Sequence, residues 1–572
     1  MMTCVFVKTS RVKRDNKTYE YLTLVEAVRD GDKTGHRVLF RLGEAGALRA
    51  SGQLDRIIAA LQAHAERTWL PADELACESA PTVGSPAAVH AVWRRLGLDV
   101  WFAKVGAERG AEVLDSAVLA MVTNRLVDPC SKRRLPEWIE RDVVMPAGFQ
   151  APSVDQYYRA LDAVAAVKEA TEAQLYAALT DLTNLDLRLV CYDLTSTYFE
   201  GSTRPSQRFP SKAFGYSRDH RRDRPQVMIG LLCTADGIPI AHHVFAGNTA
   251  DVTTLPGVLE DLQQRFGVGR ICVVADRGLI SEDNVQVVAG QGFDHVLATR
   301  LHRDPTCTEA LTASAQADAM WVPVPAARSA ACDLTLNDGR RAVVVASLQR
   351  HRRDTIRTGE LVARTETQLL ALEARVRAGR LVDAGKIGRA AQRILGPSGV
   401  ARLFDVEIAE GRFVYHYNET AFAYEALLAG RYVLITSLTA DQATTAQVVA
   451  AYRQLQSVEQ RFQVLKDFLH LRPVRHWTER RVRGHIATCV YAAVIEALIA
   501  RDLAAADVHD PDLADQHLTP TRALRELDRI RNVTLNAGGH TINVVTRPEP
   551  LQHRILTALA ADTTGWDRAH LR

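Results

Sequence analysis

The chain has 572 residues, 47% hydrophobic and 24% charged, with 70 Lys and Arg against 67 Asp and Glu for a formal net charge of +3. At roughly 150 residues per domain this is room for three or four well-buried domains, and the balance speaks against a disordered or membrane-embedded class. With so little net charge, any nucleic-acid surface must be a local concentration of cations.

The N-terminus reaches Lys8, Arg11, Lys13 and Arg14 without a sustained apolar run, so no signal peptide is read and the cytoplasm is the expected location. Strand-like runs at 3–9, 19–25 and 36–42, followed by a helix near 54–67, set residues 1–84 apart as a β-rich module. From Ser85-Pro86, read as an N-cap and first-turn pair, amphipathic helices at 86–97, 110–127, 153–165 and 168–182 make 85–186 a helical domain. At 187 the pattern changes to short, almost wholly apolar runs (187–192, 226–234, 238–245, 270–275 and 295–299), as buried strands require. Asp236-Gly237 is a hairpin signal, and helices ending at Phe266 and spanning 281–291 separate the later strands. The order β-β-β-α-β-α-β predicts an α/β domain of the ribonuclease H-like kind, a mixed sheet of antiparallel strands joined to parallel ones.

Residues 301–430 interrupt this order with strand-like segments at 321–324, 341–347, 402–408 and 412–417 around a charged helical hairpin (354–378, 385–395). They read as an α+β insertion between core segments 187–300 and 431–500. The core resumes with a strand at 432–436 and a long helix at 444–468. The tail 501–572 carries a helix at 520–531 capped by Thr519 and a hairpin at Gly538-Gly539. The apolar stretch 489–500 is interrupted by Glu496 and is too short to cross a bilayer. Nine cysteines without a Cys-x-x-Cys pair suit neither a disulfide framework nor a zinc ribbon.

Asp193 follows the first apolar strand and Asp276 the fourth, which are neighbours in the predicted sheet. Ligands of α/β sheets gather at the carboxyl ends of strands, and two carboxylates held close repel unless a cation lies between them. Oxygen donors suit Mg²⁺ or Mn²⁺. A third carboxylate comes from Glu459 on the long helix. Tyr452, Glu459 and Lys466 are spaced by seven and share one line with Leu455 and Phe462. A glutamate amid such a stripe is costly unless it is paired, with Lys466 or Arg461 as candidates, or bound to metal.

The strings Tyr192-Asp193-Leu194-Thr195-Ser196-Thr197, Ala275-Asp276-Arg277-Gly278 and Tyr452-x6-Glu459-x6-Lys466 resemble the catalytic regions of the DDE transposases of bacterial insertion sequences, in the branch with a Tyr-Arg-Glu-Lys signature. Gly215-Tyr216-Ser217-Arg218-Asp219, Gly247-Asn248-Thr249-Ala250-Asp251, Leu471-Arg472-Pro473-Val474 and Arg483-Gly484-His485-Ile486 match as well. One departure is clear: the signature arginine falls at Leu455, and Arg453 on an unbroken helix would point about 160° away from it. The resemblance implies that Asp193, Asp276 and Glu459 hold two Mg²⁺ ions, with Mn²⁺ as a substitute. It implies cleavage of the DNA ends at terminal inverted repeats, joining of the 3′-hydroxyls to target DNA, and a homodimer on double-stranded DNA. Tyr452 and Lys466 would hold phosphates, and the helical domain would bind DNA ends.

Local charge adds candidate DNA contacts. Lys212, Arg218, Arg221, Arg222 and Arg224 lie before the second strand, and Arg475 and Arg481 lie beyond the signature helix. His242-His243 are poor metal ligands, because adjacent strand residues face opposite ways. Asp251 reads as a helix N-cap, and Trp477 as packing or a base-stacking wedge. Two alternatives stay open at this point: a metal-dependent nuclease on the same fold, and a DNA-binding protein without catalysis.

Overall fold

The computed structural model describes the chain except residues 1–3, 15–16, 31–32, 63, 66–74, 184–188, 201–208, 220, 267–271, 276–281, 300–303, 317, 538–539, 565 and 567–572. The chain divides into two units, one of 1–79 with 534–544 and one of 80–533 with 545–572.

In the smaller unit, valines and threonines alternate with charged residues, a pattern that suits a half-exposed antiparallel sheet. β1 (Val5–Arg14), β2 (Lys17–Asp30) and β3 (Lys33–Glu44) form it in that order. The Glu44 carboxylate caps α1 (Ala45–Ala50) by accepting the Gly46 N–H at 3.0 Å, and α2 (Gln53–Gln62) follows. Val25, Ala45 and Leu48 are its buried apolar residues. β4 (Ala76–Ser79) pairs with a strand that comes from near the C-terminus.

The larger unit begins with six helices: α3 (Gly84–Arg95), α4 (Leu98–Glu108), α5 (Leu114–Val127), α6 (Leu135–Arg141), α7 (Val154–Ala166) and α8 (Lys168–Thr183). Ser153 caps α7 in a reciprocal box with Gln156. The reading at Ser85 is corrected: it lies inside α3, where its hydroxyl donates to the Asp528 carboxylate. α4 and α6 were not expected.

A nine-stranded sheet follows. Its strands are β5 (Leu189–Tyr198), β6 (Gln226–Thr234), β7 (Pro239–Ala246), β8 (Cys272–Ala275), β9 (Asp294–Ala298), β10 (Trp321–Val324), β11 (Ser329–Thr335), β12 (Arg341–Ala346) and, after a long excursion, β15 (Arg431–Thr436). They lie side by side in the order β10-β11-β12-β15-β9-β8-β5-β6-β7. β5, β6 and β7 are antiparallel, whereas β5, β8 and β9 are parallel. α9 (Leu255–Phe266) and α10 (Glu282–Gly290) make the crossovers. Three strands from the segment set apart as an insertion extend this sheet through β12 and β15. The remainder of that segment, α11 (Pro305–Ser314), α12 (Leu348–Arg377), α13 (Ala384–Leu395), β13 (Phe404–Ala409), β14 (Arg412–Tyr417) and α14 (Glu419–Leu428), includes a separate apolar cluster around Leu369, Ile387 and Phe413.

Beyond β15 come α15 (Thr445–Arg453), α16 (Leu455–Gln463) and a π-helical turn at Val464–Phe468, then the 27-residue α17 (Glu479–Ala505). The last elements are β16 (His509–Asp510), β17 (Leu513–His517), α18 (Pro520–Leu527), β18 (Asn532–Ala537), β19 (His540–Val545) and α19 (Pro550–Ala558). α17 is buried along most of its length, which explains its apolar run: α3, α5, α7, α18 and α19 pack around it, and β7 lies against it. The segment read as a tail thus contributes α18 and α19 to the core. The expected hairpin tip at Gly538-Gly539 lies outside the described residues.

Candidate functional site

Alternation along β5 sorts its side chains. Tyr192 and Leu194 join the apolar cluster beneath α9, while Cys191 and Phe199 join the one that includes Leu455, Val458 and Phe462 of α16. Asp193 therefore stands on the face that α16 covers, half-buried, with one carboxylate oxygen accepting the Leu194 N–H at 2.7 Å. It lies inside β5, opposite Leu231 of β6, and not beyond the strand's end as the sequence suggested. Thr195, Ser196 and Thr197, polar as they are, are all buried and paired with β6. Both Asp193 and Arg461 of α16 act electrostatically on the buried Cys233 thiol, which burial pushes well up, so the strand and the helix converge there.

Asp276 lies outside the described residues. β8, whose last residue Ala275 directly precedes it, is the parallel neighbour of β5, with Val274 level with Cys191.

Glu459 projects from α16 and is exposed. The buried stripe of this helix is Leu455, Val458, Phe462 and Leu465, so Glu459 stands at its edge and not within it. The cations offered as its partners bind elsewhere. Arg461 donates to Glu496 of α17, and Lys466 Nζ lies 2.8 Å from Asp219. Glu459 lines a cavity of about 390 Å³ with Tyr452, Tyr432, Arg350, Arg353 and Arg453. Leu455 lines the same cavity, and a one-residue interruption at Gln454, which keeps right-handed helical backbone angles, separates α15 from α16. The rings of Tyr452 and Tyr432 are 5.5 Å apart, and the Arg350 guanidinium sits 5.4 Å over Tyr432.

Lys466 falls in the π-helical turn, a geometry found often at functional sites. Burial pulls its ammonium below the usual lysine range although Asp219 opposes this. Asp219, whose side chain is 5% exposed, also accepts Arg472. The sequence reading met Asp219 within a matched string and gave it no role; an acid inside the most basic loop was the available signal. That loop is locked to β7 by a close approach: a Cβ on Gly215 would sit 1.9 Å from the Gly247 carbonyl oxygen, and the Gln226 amide donates to the carbonyls of Tyr216 at 3.0 Å and Gly247 at 2.8 Å. Two of the matched strings meet at this contact.

The remaining basic candidates are engaged within the chain to different degrees. Arg218 binds Asp251 at 2.6 Å, so Asp251 is an ion-pair partner and not a cap, the short helix there being preceded by Ala250. Arg221 binds Asp223 at 2.8 Å and covers the Tyr198 ring, and Arg224 lies 3.3 Å from the same acid. Lys212 is buried against Phe199, and Arg222 is exposed. Arg475 is 3.5 Å from Glu200, while Arg481 is 3.4 Å from Asp162 and stacks over Tyr158. Trp477 is 72% exposed, which removes packing as its role. His242 and His243 are tied up in a charge network with Glu172 at 2.7 Å and Asp261 at 3.2 Å.

A family model described as a transposase DDE domain matches residues 185–495, and one described as the IS1634 family transposase N-terminal domain matches residues 7–74. No curated protein matches the chain. Among solved structures, a cryo-EM structure of the piggyBac transposase synaptic complex with hairpin DNA is similar over 73% of this chain and 70% of its own, at 10% identity and a TM-score of 0.33. That likeness is too low to carry an argument. The first match spans more than half of the sequence and contains β5, β8 and α16, and the chain belongs to the DDE transposases of insertion sequences.

Proposed function

We propose that the strands from β7 to β9 form a ribonuclease H-like catalytic core. We propose further that Asp193, Asp276 and Glu459 carry out cleavage of the element's DNA ends and joining of the 3′-hydroxyls to target DNA. The observation that carries this reading is that Asp193 stands on the sheet face covered by α16, the helix that bears Glu459. All three side chains offer oxygen only, a donor set that fits Mg²⁺, with Mn²⁺ as its substitute. Mg²⁺ held there would supply the Lewis-acid charge for in-line displacement at phosphorus. The protein's own share is placement. Arg461 fixes α16 onto α17, and Asp219 holds Lys466 next to the basic loop. Arg350, Arg353 and Arg453 put positive charge beside Glu459, where a DNA phosphate would approach. Double-stranded DNA is the partner in this reading, with a homodimer bringing two ends together. The helical segment 85–186 and the N-terminal unit would recognise the terminal repeats.

The test is Mg²⁺-dependent cleavage and joining of labelled DNA carrying the terminal repeats, with Glu459→Gln beside the unchanged protein. Because Glu459 is exposed, the substitution should alter stability by no more than about 0.5 kcal/mol. Loss of both reactions with end binding retained is the expected result. Equal activity in both proteins would remove Glu459 from the site.

A further inference from the structure

Just beyond the C-terminal end of α17, a second group of metal-type donors comes together that the transposition chemistry does not use. α17 ends at Ala505, and Asp507 takes the left-handed conformation with φ +53°, which aspartate tolerates better than most residues. The chain then enters the β16–β17 hairpin, where His509 and His517 are directly opposed cross-strand partners. Their rings stack at 4.8 Å with 16° between the planes. His509 Nε2 lies 3.5 Å from Asp507 Oδ1. One donor atom from each of the three residues lies within 4.8 Å of the others.

From these contacts we propose that Asp507, His509 and His517 form a binding site for one borderline divalent transition-metal ion of the Zn²⁺ class, separate from the carboxylate site. Two donors on a tetrahedral Zn²⁺ ion with bonds of about 2.1 Å stand about 3.4 Å apart, which the Asp507–His509 pair already matches. Two imidazoles and one carboxylate select against Mg²⁺, which prefers oxygen throughout. The frame around the donors is fixed. Val508 and Leu518, 1% and 2% exposed, anchor the chain on either side. The Val508 N–H donates to the Leu503 carbonyl at 3.0 Å, and the Val508 carbonyl accepts the Leu518 N–H at 2.8 Å. Arg554 holds the Asp507 carbonyl at 2.9 Å. The stacked rings would turn out of their parallel arrangement to close the three donors on one ion. A bound ion would fasten the hairpin to the end of α17, the helix that also anchors the signature helix.

The test is titration of the full chain with Zn²⁺ in excess Mg²⁺, followed by calorimetry and by competition with a chromophoric chelator. The expected result is one equivalent of Zn²⁺ that Mg²⁺ does not displace and that raises the melting temperature. His509→Ala, His517→Ala and Asp507→Asn should each weaken binding at least about tenfold. The double variant Asp193→Asn, Glu459→Gln should leave it unchanged. Cu²⁺ in the same site should show coupling to two imidazole nitrogens by electron paramagnetic resonance. Melting in chelator checks that each variant folds as the unchanged protein does, and Asp507→Asn keeps a residue suited to the left-handed backbone. An equivalent of Zn²⁺ retained after both histidines are replaced would overturn the proposal and mark an adventitious ion only. The same holds for a stoichiometry near zero in the unchanged chain.

Discussion

Arg461 and Glu496 form a direct ionic link between α16 and α17, and removing half of it makes a sharp test. Their side chains are 13% and 6% exposed. Burial raises the Glu496 carboxyl above the ordinary range even with Arg461 beside it. The sign follows from linkage: an acid raised in the folded state contributes stability below its unfolded pKa, and that contribution is lost as pH rises through the folded value. In Arg461→Met the counter-charge is gone, and Glu496 must either stay ionised in an apolar site or hold a proton. Holding the proton costs about 1.4 kcal/mol for each pH unit above an unfolded pKa of about 4.3. This sets a ceiling of about 4 kcal/mol at pH 7.5 and about 1.6 kcal/mol at pH 5.5; the former falls in the range found for breaking a buried pair. A unit this large should lose about 1–2 °C of melting temperature per kcal/mol, less than small domains do. The assay is thermal and urea unfolding at both pH values for Arg461→Met and for Arg461→Met with Glu496→Leu. The double variant should recover most of the loss, because matched apolar replacements of buried pairs are near neutral or better. A double variant as unstable as the single, or a single variant with the same deficit at pH 5.5 and 7.5, would refute the electrostatic account and leave packing as the cause.

Gly237 turns the β6–β7 hairpin at φ +74°, and a Cβ there would stand 2.8 Å from Ser457 Cβ on α16. Gly237→Ala should therefore cost about 1–3 kcal/mol and, under the proposed function, slow strand joining by shifting α16, as measured by unfolding and by single-turnover assays. Glu172 is fully enclosed; although burial alone would raise its carboxyl, His242, Lys168 and Arg265 together draw it from the ordinary 4.5 down to about 2. An acid lowered in this way contributes stability above pH 4.5 that is lost as pH falls through about 2. Glu172→Gln should consequently be less stable than the unchanged chain at neutral pH, by about 3 kcal/mol or more, with the gap narrowing below pH 4 in melting experiments.

The core strands were legible because residues buried on both faces of a sheet leave an unbroken apolar run, as in 227–233 and 272–275. β11 was missed because Ser329–Thr335 mixes small and polar residues, and only its pairing with β10 and β12 makes it a strand. At the candidate site the seven-residue spacing did identify the helix that bears Glu459. It placed Glu459 within the apolar stripe, whereas the residue stands exposed at the stripe's edge, on a helix that is interrupted at Gln454 and ends in a π turn. Asp219 stood in a matched string without a role because its partners Lys466 and Arg472 are distant in sequence, and the Asp507–His509–His517 group depends on a two-strand hairpin too short to leave a pattern.

The path of the chain between β9 and β15 has a consequence for how this protein can change. Ala298 is the lateral partner of Leu434, and the Thr299 N–H donates to the Val433 carbonyl at 3.0 Å. The chain therefore leaves β9 and, after adding β10, β11 and β12 to the same sheet, returns in β15 about one strand spacing, ~4.8 Å, from where it left. A detour whose two ends already touch can be lengthened at an entropic cost that grows only with the logarithm of its length, about 0.6 kcal/mol per doubling. Its distal part, from the later turns of α12 through α14, is where added length would cost least while β5, β8, α16 and the arginines at the start of α12 keep their places.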